Sequence, residues 1–118
     1  MEKQSVIEHL SIKFALRMVK LYKFLTLEQK EFVMSKQVYR SGTSIGANIA
    51  ESKAAQSEAD FISKLSIALK EAFETKYWLL LLHESDSIDD ASYDSINNDI
   101  KVIIGTLTNI IKKKKGLE

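Results

Sequence analysis

Apolar residues recur along this chain in alternating steps of three and four. In the first segment Ile7, Phe14 and Leu21 stand seven apart, with Leu10, Met18 and Leu25 filling the same side. That spacing predicts an amphipathic helix over about Val6 to Leu25. Thr26-Leu-Glu-Gln29 has the form of a capping box, so a second helix is expected from Leu27 to about Ala55, antiparallel to the first. Phe32, Val38, Ile45 and Ile49 mark its core side. Ser57-Glu-Ala-Asp60 resembles the next cap after another short turn. The third helix then carries Phe61, Leu65, Ala68, Ala72, Thr75, Leu79 and Leu82 without a missed step.

A second stripe on that third helix, Ile62, Leu69, Phe73 and Leu80, widens the apolar arc beyond one bundle seam. It reads either as deeper burial or as a subunit interface, and the interface is favoured because four short helices have little area to hide it. His83 to Asp89 is a polar break suited to a turn. The last helix, about Asp90 to Lys115, places Tyr93, Ile96, Ile100, Ile103, Leu107 and Ile110 on one side, with Gly116 as a natural stop. Four helices with short links predict an all-α, up-down-up-down antiparallel four-helix bundle, a single domain over residues 1–118. In that topology the run Lys112 to Lys115 shares an end with Lys3 and Lys53.

Composition agrees with this picture. The chain has 118 residues, 45% hydrophobic and 28% charged, with no proline, no cysteine and four glycines. Without proline the commonest helix breaker is missing, and without cysteine disulfides and thiolate metal sites are excluded. The N-terminus has no apolar signal-like region, and the longest apolar run, Tyr77 to Leu82, is far too short to span a membrane. No membrane role is therefore expected.

Net charge is only +1, so its distribution matters more than its sum. Between His9 and Glu28 every charge is positive: Lys13, Arg17, Lys20 and Lys23. These, and the run Lys112, Lys113, Lys114 and Lys115, are either solvated faces or contacts for nucleic acid or an acidic partner. The acidic start and basic end of the last helix also suit its dipole.

Catalytic constellations are missing. Neither His9 nor His83 follows a Glu by three residues, as a helical di-metal site requires. The acidic set Asp86, Asp89, Asp90 and Asp94 lacks the glycine and terminal Glu of a calcium loop. No glycine-rich phosphate loop is present. No catalytic residue, cofactor, metal or small-molecule substrate is expected, and the protein reads as a non-enzyme.

The stretch from Arg40 to Ser52 stands apart because it interrupts a helix with two glycines and many small polar residues. Each interior glycine costs roughly 1 kcal/mol relative to alanine, so close approach to a neighbour is the expected return. Thr43, Gly46, Ala47, Ala50 and Ala54 supply a small surface. Arg40, Ser44, Asn48 and Glu51 are the candidate polar network fixing register. Arg40 and Glu51 are too far apart to pair, so their partners are expected on other helices or subunits.

The pattern Arg40-x-x-x-Ser44-Ile45-x-x-Asn48-Ile49-Ala50-Glu51, continued by Asp60-Phe61, Leu65, Ala68 and Glu74, resembles a family of bundle proteins. Its members are encoded in intervening sequences of bacterial large-subunit (23S) ribosomal RNA genes, and accessory proteins of diversity-generating retroelements look like relatives. The resemblance spans roughly Val6 to Lys113. Ser52 replaces the usual glycine, and the proline common between the first two helices is missing. It implies a small cytoplasmic, non-enzymatic, ring-like homopentamer. Its implied partner is structured RNA or a nucleic-acid enzyme; a protein adaptor with no nucleic-acid role is the alternative.

Overall fold

The computed structural model describes residues 3–117, and the side chains of Lys3 to Ser5 lie outside it. The expected position of Lys3 beside the lysine run therefore falls outside the described residues, as do the ends of the 1–118 domain. The described residues form four helices: α1 (Lys3–Leu27), α2 (Met34–Ser52), α3 (Glu58–Glu84) and α4 (Asp90–Lys115). Among the described residues there is no strand. Each helix packs on its sequence neighbours and α4 closes back on α1, giving the expected up-down-up-down bundle, 44 Å long.

The 3-4 stripes form the core. Ile7, Phe14, Met18, Leu21 and Leu25 of α1 meet Val38, Ile45 and Ile49 of α2, the α3 series from Leu65 to Leu82, and the isoleucines of α4. Phe61 and Tyr93, at the ends of their stripes, are only half-buried. The cap before α3 forms as its sequence implies, and α4 is capped by Asp89, at the end of the expected polar break. The Ser57 side chain accepts from Asp60 N–H at 3.0 Å, and Asp89 accepts from Ser92 N–H at 2.7 Å. The latter bond holds the Asp89 carboxyl below its usual range.

The first connection differs from the expectation. Helix α1 runs through Thr26, whose hydroxyl donates backward to the Tyr22 carbonyl at 2.9 Å instead of capping forward. The turn is then closed by Glu31 N–H on the Leu25 carbonyl, with Lys30 in the left-handed conformation at φ 54°. Helix α2 starts at Met34 rather than Leu27 and ends at Ser52 rather than Ala55. Its cap is Glu31, whose carboxylate accepts from the N–H groups of Val33, Met34 and Ser35 at 3.1, 3.0 and 2.6 Å. Phe32, expected in the core, lies in this connection and is exposed.

Candidate functional site

Helix α2 has a different neighbour on each side. Toward α1, Gly42 is buried so closely that a Cβ there would stand 2.5 Å from Met18 Cγ and 2.7 Å from its sulfur. Gly46, one turn on, would meet the Ser11 hydroxyl at an ordinary 3.4 Å. Toward α3 the contact is polar. The buried hydroxyls of Ser41 and Thr75 share a hydrogen bond of 2.9 Å. Outside them, the Arg40 guanidinium spans Glu71, at 3.2 Å, and Glu74. Glu74 also accepts from the Trp78 indole N–H at 3.0 Å. That indole bond first, and then Arg40, hold the Glu74 carboxyl below its ordinary range, and the same carboxylates hold Arg40 charged.

The four expected network residues therefore divide. Arg40 and Glu51 reach α3, Glu51 through Lys64 at 3.3 Å. Ser44 and Asn48 instead bond within α2, to the carbonyls of Arg40 at 2.6 Å and Ser44 at 2.9 Å. They satisfy themselves locally and do not join the cross-helix contacts. The Ser41–Thr75 bond was not foreseen: Thr75 reads as an apolar-stripe position, and only its hydroxyl at a helix seam hinted at more.

The lysine faces also divide. Arg17 is committed to Asp99 of α4 at 2.7 Å, leaving Lys13, Lys20 and Lys23 exposed on α1. Lys114 pairs with Glu58 at 3.5 Å and lies 5.1 Å from the Phe61 ring centre. Lys112, Lys113 and Lys115 are exposed, with no carboxylate at ion-pair distance among the described residues. Lys53 is at the same end, bound to Glu8 at 3.1 Å.

The second α3 stripe divides too. Ile62 and Leu69 are half-buried against the core, whereas Phe73 and Leu80 are 54% and 43% exposed. Tyr77, between them, is likewise exposed. At the other end of the bundle His83 stacks on Tyr93 and binds Asp90 at 2.6 Å, a bond that raises its pKa. His83 of α3 is thus tied to two residues of α4.

An open groove of about 450 Å³ runs between α1 and α4, lined by Arg17, Lys20, Phe24, Ile88, Asp89 and Ile96. Its charged groups are a committed arginine, a capping aspartate and a lysine. Among the described residues no cluster of three His, Asp or Glu side chains is placed to hold a metal ion. Among the described residues no helix is long and apolar enough to cross a membrane.

These features define a small antiparallel four-helix bundle whose second helix is closely fitted to both neighbours and whose outer surface carries charge and apolar side chains. A family model, 23S rRNA-intervening sequence protein, matches residues 3–109, and the chain belongs to that family. It is also similar to a crystal structure of a protein of unknown function from the S23 ribosomal protein family of Bacteroides thetaiotaomicron VPI-5482. The two are 60% identical with a TM-score of 0.93, over 94% of this chain and 99% of that one. No curated protein matches the chain.

Proposed function

We propose that the chain is a non-enzymatic, cytoplasmic, homo-oligomeric binding module, pentameric as the family resemblance implies, with structured RNA as its partner. The observation that carries this reading is the exposure of Phe73, Tyr77 and Leu80 on a bundle whose core closes without them. Apolar side chains grouped on one face are characteristic of a surface covered by another chain. Assembly then multiplies a weak local charge. With a net charge of only +1 per chain, binding to a phosphate backbone rests on the Lys112 to Lys115 end and on Lys13, Lys20 and Lys23.

Light scattering after size exclusion tests assembly, and a single-chain mass overturns it. RNA affinity across a salt series tests the partner: a log–log slope of several units is expected, since each phosphate contact contributes about −0.7 to −0.9. Replacing Lys112 to Lys115 with Gln should weaken binding roughly tenfold at low salt, flatten that slope and leave the assembled mass unchanged. Absent or salt-independent binding overturns the RNA partner and leaves the protein-adaptor reading, which the near-neutral charge favours.

A further inference from the structure

The four seams of the bundle are not equally closed. Gly42 draws α1 onto α2, a buried hydrogen bond joins α2 to α3, and His83 stacks on Tyr93 across α3 and α4. Between α1 and α4 the Arg17–Asp99 pair is the one ion pair among the described residues. On one side of it the seam holds only a recess of about 100 Å³ beside Phe14 and Val102. On the other it opens into the groove of about 450 Å³, within the range of about 300–1,000 Å³ usual for small-molecule sites.

The groove is apolar at its floor and polarised along its length. Leu21, Ile88 and Ile96 are buried beneath it, while Phe24 is 40% exposed and forms a wall. Lys20 and Phe24 stand one turn apart on the same face of α1, so the cation and the ring border the same space. The other charges are taken: Arg17 by Asp99, and Asp89 by the Ser92 N–H at the positive end of α4. Lys20 has no carboxylate at ion-pair distance among the described residues. Past Phe24 and Ile88 the groove runs on into a second recess of about 410 Å³, walled by Asp86, Asp89 and Asp90. A ligand's negative group is therefore drawn to the Lys20 end and repelled from the far one, while its apolar part lies on Phe24 and Ile88. An extended peptide suits the site poorly, because Gln29, Ser87 and Ser92 are the only uncharged polar side chains lining it to meet a backbone.

We propose that this groove binds a small apolar monocarboxylic acid, its carboxylate on Lys20 and its alkyl or aryl body against Leu21, Phe24, Ile88 and Ile96. With Asp89 and Asp99 both committed, no carboxylate is free to act as a base there, and the acid is held, not transformed. The site lies within one chain and stands apart from the oligomer and RNA readings above.

Titration with anilinonaphthalene sulfonate, an apolar monoanion whose fluorescence rises on binding, tests the site. One dye per chain should bind the folded protein saturably, and naphthoate or decanoate should displace it. Displacement by naphthoate alone assigns an aryl body and by decanoate alone an alkyl one. No saturable binding, or displacement by neither acid, overturns the proposal. The uncharged amide of the effective acid should compete about threefold more weakly, and equal competition overturns the contact with Lys20. Lys20→Gln should weaken dye binding about threefold and Lys20→Glu about tenfold, the loss and then the reversal of an exposed ion pair. Phe24→Ala should weaken it about tenfold through lost apolar contact. Phe73→Gln, on the outer face of α3, should leave it unchanged. Lys20 is exposed, so its variants keep the fold, which circular dichroism melts check. Unchanged affinity in Lys20→Glu, or binding lost in Phe73→Gln and kept in Phe24→Ala, puts the dye elsewhere and overturns the site.

Discussion

The α1–α2 seam and the α2–α3 seam meet on the same helix but are held in different ways. The first is closed by the absence of atoms: Gly42 lets Met18 and Phe14 lie against the α2 backbone. The second is closed by specific partners: a buried Ser41–Thr75 hydrogen bond with Arg40 clamped across Glu71 and Glu74 outside it. A close-packed seam fixes distance but tolerates sliding along the helix. A hydrogen-bonded one fixes register, since a shift of one residue unpairs the buried hydroxyls. The unusual composition of residues 40–52 thus serves two neighbours at once.

The comparison breaks most visibly at the glycines. Gly42→Ala should destabilise the protein by about 1–2 kcal/mol, because overpacking of a fully buried Met18 outweighs the helix-propensity gain of about 1 kcal/mol. Gly46→Ala, with ordinary contact distances, should be neutral or stabilise by up to about 1 kcal/mol. Urea melts of the two variants measure the contrast, and equal effects would mean that Met18 yields and the seam is not distance-limited.

The polar seam should respond next most strongly. Thr75→Val keeps the shape and removes the hydroxyl, leaving Ser41 with only a 3.5 Å contact to the Val38 carbonyl, at a cost of about 1 kcal/mol. Ser41→Ala should cost a similar amount, and the double variant less than the sum by roughly 0.5 kcal/mol or more. Strict additivity in this cycle would show that the two hydroxyls are satisfied separately, Thr75 through the Glu71 carbonyl at 2.8 Å.

The apolar periodicity made the four helices and nearly all of the core legible, because a 3-4 stripe has no other economical burial. Thr26 and Phe32 show where that legibility ends. A threonine near a helix end can bond backward or forward, and the pattern Thr-x-x-Gln is the same in both cases. Placing the start of α2 too early then carried Phe32 into the core. Glu31 was the available signal, an acidic residue just before the α2 N-terminus. In the candidate network, Arg40 and Glu51 were legible as cross-helix groups because their spacing forbids a mutual pair. Ser44 and Asn48 were not, since a small polar side chain can always bond its own helix four residues back.

The smallest effect should come from the outer clamp, and its pH dependence has a definite sign. Glu74 has a lowered pKa in the folded chain, from the Trp78 indole and from Arg40. Its contribution is therefore fully present above the carboxylate's unfolded value and is lost as pH falls through the lowered folded value. Arg40, shifted upward, stays charged throughout this range and adds no pH dependence of its own. Glu74 is more than a third exposed, so solvent screening keeps the clamp under about 1 kcal/mol. Urea melts from pH 6 down to about 2.5 should show wild type losing more stability than Glu74→Gln, with the two curves converging at the acid end. Trp78 fluorescence should shift over the same interval, because protonation weakens the indole bond. Parallel curves would assign the register of this seam to the buried Ser41–Thr75 pair alone and reduce Arg40 to a solvated charge.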